Sequence, residues 1–243
     1  MSLNNIRIVL IGTTHPGNIG AVARAMKNMC LNQLYLVQPK EFPCAEATAR
    51  ASGADDLLYN AKVCNSLDEA LDGCYLVVGA SARLRSVEWP QYDPRECAVE
   101  LLSKAEQGEV ALVFGRECSG LSNAEMDRCQ HLVHIPANEE YSSLNLSMAV
   151  QVLAYELHMT SLKGCTLKPQ SDREIATADE MEGFIQHLEQ TMRDIHFSDP
   201  RQSTKLLRRL RRLFNRAQPD NDELNILRGI LSAAQGACKP QGN

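Results

Sequence analysis

No long hydrophobic run occurs in this sequence. The longest early apolar stretch, Ile8 to Ile11, is far too short for a membrane span or the core of an export signal. Cytoplasmic residence with no membrane partner is therefore expected. There is no CxxC pair either. The nine cysteines, at 30, 44, 64, 74, 97, 118, 129, 165 and 238, show neither zinc-ligand spacing nor a disulfide framework. They read as reduced, mostly buried thiols, with no metal bound. No Gly-Lys-Ser/Thr closes a phosphate loop, the glycine spacing of a dinucleotide fingerprint is missing, and no G-x-S-x-G elbow appears. None of the six histidines falls beside an obvious nucleophile or paired carboxylate, and His131 and His134 should point to opposite faces of a strand. The net charge of −5 argues against wholesale coating by nucleic acid but leaves room for a local basic patch. What remains is an ordinary soluble composition, 44% hydrophobic and 23% charged, over 243 residues. That length suits one large domain, or one domain with a small appendage.

The first two-thirds of the chain alternate between apolar strands and helices. Strands are expected at Ile6–Ile11, Leu34–Val37, Ala61–Cys64, Tyr75–Val78, Val110–Phe114 and His131–Ile135. Helices are expected at Ala21–Met29, Ala45–Ser52, Leu67–Leu71, Asp93–Ala105, Asn123–Cys129 and about Leu144 to Leu162. Runs such as YLVVG and VALVFG are apolar throughout, as in strands covered on both faces, so the fold class is α/β with a parallel sheet between helices. Residues 163–178 carry Gly, Pro and scattered charge and read as a linker. Residues 179–243 are helical in pattern, with Met181, Phe184, Ile185, Leu188 and Met192 at helical spacing, then Leu206, Leu210, Leu213 and Phe214, then Leu224, Leu227, Ile230 and Leu231.

Four loops follow apolar strands. GTTHPGNIGAVARAMKNM places Gly17, Asn18 and Gly20 where a helix begins, and exposed N–H groups at a helix start suit anionic or acceptor-rich ligands. Arg24 lies one turn beyond Gly20. GASARLRSVEWP offers small residues, Ala80, Ser81 and Ala82, for close backbone approach, and Arg83 and Arg85 for phosphates. VFGRECSGL puts Gly115 and Glu117 at the carboxyl end of a strand, where open α/β sheets bind ligands. In HIPANEEYSSLNLSMAV, Ser142 or Ser143 could be a helix cap, but one cap does not explain Ser143, Asn145 and Ser147 together. Further on, seven Lys/Arg and no Asp or Glu lie between Pro200 and Pro219. Lys205, Arg209, Arg212 and Arg216 step along one helix face, flanked by Arg208 and Arg211 and opposite the leucines, a pattern that suits a phosphate backbone.

NIGAVARAMKNM, VFGRECSGL and HIPANEEYSSLNLSMAV together resemble the three successive motifs of the SPOUT methyltransferases, in order and spacing, across roughly residues 6 to 162. The ASARLRSVEWP loop and the basic tail sharpen the resemblance to those SPOUT enzymes that methylate the 2′-hydroxyl of cytidine or uridine at nucleotide 32 of the tRNA anticodon loop. The resemblance implies a knotted catalytic domain over residues 1–162, with a C-terminal trefoil knot, joined to a small all-helical, tRNA-binding domain over 179–243. It implies S-adenosyl-L-methionine as cofactor, held by Ala80, Ser81, Ala82, Gly115, Ile135, Ser142, Ser143 and Leu144. It implies Arg24 at the reacting ribose with Asn18 nearby, Ser143 holding or relaying a proton, and Glu117 and Asn145 supporting the site. A homodimer with active sites at its interface is implied as well, so that Arg24 could serve the partner's donor. Arg83, Arg85, Lys205, Arg208, Arg209, Arg212 and Arg216 would meet the RNA. Cys118 and Ser119 depart from the apolar or basic residues expected after Glu117. Two other readings stay open: a SPOUT enzyme acting on ribosomal RNA, and a non-catalytic RNA-binding protein. GNIG superficially resembles the GXXG loop of KH domains but follows a strand, where theirs lies between helices.

Overall fold

The computed structural model describes residues 3–82, 91–163, 175–197 and 203–237. The chain divides into two compact units, Met1–Pro169 and Gln170–Asn243.

The first unit holds seven strands: β1 (Ile6–Ile11), β2 (Gln33–Val37), β3 (Lys62–Cys64), β4 (Leu76–Ala80), β5 (Gln91–Tyr92), β6 (Val110–Phe114) and β7 (His131–Val133). Its helices are α1 (Pro16–Asn28), α2 (Ala45–Ala51), α3 (Asp55–Tyr59), α4 (Leu67–Leu71), α5 (Pro94–Lys104), α6 (Asn123–Met126) and α7 (Leu146–Leu162). All strands are parallel, in the order β3-β2-β1-β6-β4-β7-β5. The chain winds outward from β1 to β3, then crosses back to build the other half, which leaves a topological switch point near β1 and β6. Register aligns the carboxyl ends: Leu10 pairs with Phe114, Phe114 with Ala80, and Ala80 with Val133. The loops after these strands therefore leave the sheet side by side.

Burial explains the apolar runs. Strands β1 and β6 are buried at every position, because side chains alternate between two covered faces. Ile6, Ile8, Leu10, Leu112 and Phe114 pack with residues of α1, α5 and α7 in the main core. Arg7, on the alternate parity of β1, is buried as well and donates from Nη1 to the carbonyls of Ala70 (2.9 Å) and Asp72 (2.8 Å). Helix starts obey local chemistry. Asp93 and Glu96 form a reciprocal capping box on α5, and Ser122 and Glu125 another on α6.

Several boundaries differ from the sequence expectation. Helix α1 begins at Pro16, so Gly17 and Gly20 lie inside it. Gly20 serves close packing: a Cβ there would stand 2.0 Å from the Ala47 carbonyl oxygen of α2, whereas one on Gly17 would meet first the flexible end of the Glu46 side chain, at 2.8 Å. Strand β7 ends at Val133, short of Ile135. His131 is buried and stacked on Tyr92 (4.6 Å between centroids), while His134 lies past the strand. Helix α3 and the two-residue edge strand β5 carry no periodic pattern long enough to see in sequence. Among the seven described cysteines, all free, Cys30 and Cys118 are exposed.

The second unit contains α8 (Ala178–Asp194), α9 (Ser203–Ala217) and α10 (Asn221–Ala237) around Met181, Phe184, Ile185 and Leu224. Thr177 and Glu180 cap α8 reciprocally. Leu207 and Phe214 are the α9 residues packed on this core, and Phe214 meets Phe184 edge to face. Leu213, expected on the packed side, is instead 47% exposed. Among the described residues no helix is long and apolar enough to cross a membrane, and no cluster of His, Cys, Asp or Glu could hold a metal ion.

Candidate active site

The loops after β4, β6 and β7 meet the start of α7 around one cavity of about 390 Å3. Its lining includes Ala80, Ser81, Ala82, Gly115, Ile135, Ser142, Ser143 and Leu144, all eight positions singled out in the sequence for a methyl donor. The volume lies within the range of small-molecule sites. Small residues such as Ala80, Ser81, Ala82, Gly115 and Gly120 recur along the wall beside larger ones such as Phe114, Ile135 and Tyr141. Ser81 N–H donates to the Val133 carbonyl (3.0 Å), and the Ser81 carbonyl oxygen lies 3.1 Å from His134 Nδ1, so the β4 loop is pinned to β7. After β6 the chain doubles back: Arg116 and Gly120 exchange backbone hydrogen bonds of 3.2 and 2.8 Å. Gly115 has to be glycine in this bend, since a Cβ would stand 2.1 Å from the Gly120 carbonyl carbon.

Glu117, at the tip of that bend, ties the three motifs together. Its carboxylate accepts from the backbone N–H groups of Thr14 (3.1 Å) and His15 (3.2 Å), the Thr14 hydroxyl (3.0 Å) and Asn18 Nδ2 (3.0 Å). Asn18 Oδ1 in turn accepts from Asn145 Nδ2 (3.2 Å), and Asn145 Oδ1 accepts from the N–H and hydroxyl of Ser147 (2.9 and 2.7 Å). The start of α1 has no cap of its own, because the His15 side chain makes no capping bond and Pro16 has no N–H. Glu117, from the loop after the neighbouring strand, instead holds the N–H groups of the two residues just before α1 and the Asn18 side chain. Burial alone would raise its pKa, but the bonds from Asn18, Thr14 and His15 outweigh burial and hold it at about 2. The anion site expected at the start of α1 is thus filled by the protein's own carboxylate. Asn145, not Ser142 or Ser143, is the N-cap of α7, which leaves both serines in the loop beside the cavity.

Arg24 does not line the cavity. It is exposed on α1, six residues beyond Asn18, or about 9 Å along the helix. Arg83 and Arg85 lie outside the described residues. On α9, Lys205, Arg209 and Arg216 are exposed and Arg208 and Arg212 half-buried. Arg211 is pinned to Glu182 of α8, an intramolecular ion pair between two largely buried side chains. Sequence reasoning missed Thr14 and His15 as partners of Glu117, because their contribution is mostly backbone N–H and leaves no side-chain signature.

Comparison with known proteins puts this fold and site in a class, the SpoU methylases. Residues 5–155 match the SpoU rRNA Methylase family. Residues 179–243 match the tRNA methyltransferase TrmJ, C-terminal domain, and the chain belongs to the TrmJ group of the SpoU methylases. The tRNA (cytidine/uridine/adenosine-2′-O-)-methyltransferase TrmJ of Pseudomonas aeruginosa is 53% identical, over 98% of this chain and 96% of that protein. The tRNA (cytidine/uridine-2′-O-)-methyltransferase TrmJ of Pectobacterium atrosepticum is 52% identical, over 96% of this chain and 98% of that protein. Among solved structures, TrmJ from Z. mobilis superposes with a TM-score of 0.81 at 33% identity, covering 93% of this chain and 97% of that one.

Proposed function

We propose that this chain methylates the ribose 2′-hydroxyl of cytidine or uridine at nucleotide 32 of the tRNA anticodon loop, with S-adenosyl-L-methionine as donor. The observation that carries the reading is the convergence of all eight donor positions on one cavity, beside a hydrogen-bonded chain from Glu117 through Asn18 to Asn145. The cavity fits a nucleoside donor in volume, and small residues such as Ala80, Ser81, Ala82 and Gly115 leave room for it along part of the wall. When bound, the donor supplies a methyl group already activated on a sulfonium. The chain's own work is alignment and removal of a proton. Glu117 and Asn145 hold the start of α1 against the cavity loops. In this reading Ser143, on the cavity wall, holds or relays the ribose proton. Arg24 orients the 2′-hydroxyl and its neighbouring phosphate and stabilises the developing alkoxide.

A homodimer completes this site, with Arg24 serving the partner's donor. Two observations support it. Arg24 stands well along α1 from the cavity of its own chain. Helix α7 exposes Met148, Val152, Tyr155 and Leu162, an apolar stripe on a helix whose other faces are already buried. The same reading assigns residues 1–162 to the catalytic domain, 163–178 to a linker and 179–243 to tRNA binding. In it, Arg83, Arg85, Lys205, Arg208, Arg209, Arg212 and Arg216 lie along the RNA. It also includes a trefoil knot at the end of the catalytic domain, and work in the cytoplasm, where tRNA is processed.

The test is to incubate the protein with labelled donor and, in parallel, bulk tRNA and ribosomal RNA, and to map 2′-O-methyl nucleotides. Label at nucleotide 32 is the expected result. Label confined to ribosomal RNA would favour the ribosomal alternative, and tight RNA binding without label would favour a binding protein. Arg24→Ala should abolish transfer and leave donor binding largely intact; normal turnover would remove Arg24 from the mechanism.

A further inference from the structure

Three of the residues lining the cavity carry a charge, and two of them are matched within the chain. Arg116 Nη1 donates to both oxygens of Glu125, at 2.9 and 3.1 Å. Glu117 is held by the donors at the start of α1, so its charge is already spread over that helix end. The third is Glu140. Its backbone N–H donates to Asn138 Oδ1 (3.0 Å), and the next N–H, of Tyr141, to the Asn138 carbonyl (2.9 Å). This Asx turn fixes residues 138–141 beside the cavity. The Glu140 carboxylate makes no hydrogen bond or ion pair with the described residues.

A cavity wall that is mostly uncharged recognises shape and hydrogen bonds, and in those respects a methyl donor and its demethylated product are nearly the same molecule. They differ by one methyl group and one positive charge at sulfur. Only a net charge in the site separates them strongly. We propose that Glu140 is the counter-charge for the sulfonium of the methyl donor and sets the preference for donor over demethylated product. The inference rests on the donor reading above and adds a specificity-determining residue to it. Once the methyl has left, the sulfur is neutral and the attraction to Glu140 ends, which favours exchange of product for fresh donor. Glu140 is exposed, so the attraction acts through largely water-like surroundings and changes affinity only about fivefold.

Calorimetry on the full-length protein separates the possibilities. Glu140→Gln keeps the side chain's size and removes its charge. S-adenosylmethionine should bind about fivefold more weakly to this variant, S-adenosylhomocysteine should bind unchanged, and the difference should shrink as salt is raised. Glu139→Gln, next door but not on the cavity wall, should alter neither. Equal losses for both compounds would mean that Glu140 acts through shape and would overturn the proposal. So would no loss for either, or the same pattern from Glu139→Gln. Failure of the unaltered protein to bind both compounds would instead overturn the donor reading itself.

Discussion

A glutamate stands just beyond each end of β6, and the two are stabilised in opposite ways. Glu109, before the strand, is paired with the Arg7 guanidinium and accepts from Gln33 Nε2 (2.9 Å). Arg7 also lies over the Tyr35 ring, 4.9 Å from its centroid. Glu117, after the strand, meets no cation. It is held by N–H and hydroxyl dipoles. Burial raises the pKa of both, and their partners lower it further still, so both stay ionised. At the amino edge charge meets charge, and that end of the sheet is closed. At the carboxyl edge a carboxylate is stabilised by dipoles alone, and its oxygens are committed to Thr14, His15 and Asn18.

This contrast predicts that damage at the two ends separates activity from stability. The largest effect is expected from Glu117→Ala. Freeing the start of α1 from the cavity loops should cut methyl transfer about 100-fold, measured as single-turnover labelling of tRNA at saturating donor. Arg7→Ala comes next. It should cost about 2 kcal/mol in a denaturant titration, through lost bonds to Ala70, Asp72 and Glu109, while turnover per folded molecule stays the same. A comparable fall in turnover would show that the closed end also shapes the site.

The smallest effect concerns acid. Glu117 has a folded pKa of about 2 against an ordinary 4.5. A depressed folded value means its stabilisation is present above about pH 4.5 and fades as pH falls toward 2. Glu109 is shifted in the same direction. Denaturant midpoints between pH 5 and 3 should therefore fall less steeply in Glu117→Gln than in the unaltered protein, without becoming flat. An unchanged slope would mean that Glu117 keeps its charge in the folded protein at no gain over the unfolded chain.

The parallel sheet was legible because β4 and β6 are apolar on both faces; the eight cavity positions came from the family resemblance, and small residues after those strands marked only part of them. The role of Gly20 was not legible. A glycine near a helix start looks the same in sequence whether it serves a ligand or a neighbouring helix, and only the 2.0 Å approach to Ala47 decides. Serines before α7 looked like caps because Ser and Asn cap equally well; the cap went to Asn145, whose Nδ2 also reaches Asn18. The basic stripe was visible in spacing, but the pairing of Arg211 with Glu182 joins positions 29 residues apart and no local pattern reports it.

The bare Cα of Gly20 seats α1 directly on the backbone of α2. The tilt of the helix bearing Arg24 is thereby dictated by a joint that touches neither nucleic acid nor sulfonium. A bulkier residue at that joint would masquerade as a chemical lesion in a protein whose reactive groups were all intact, and gentler changes in α2 offer a remote handle on how the guanidinium is aimed.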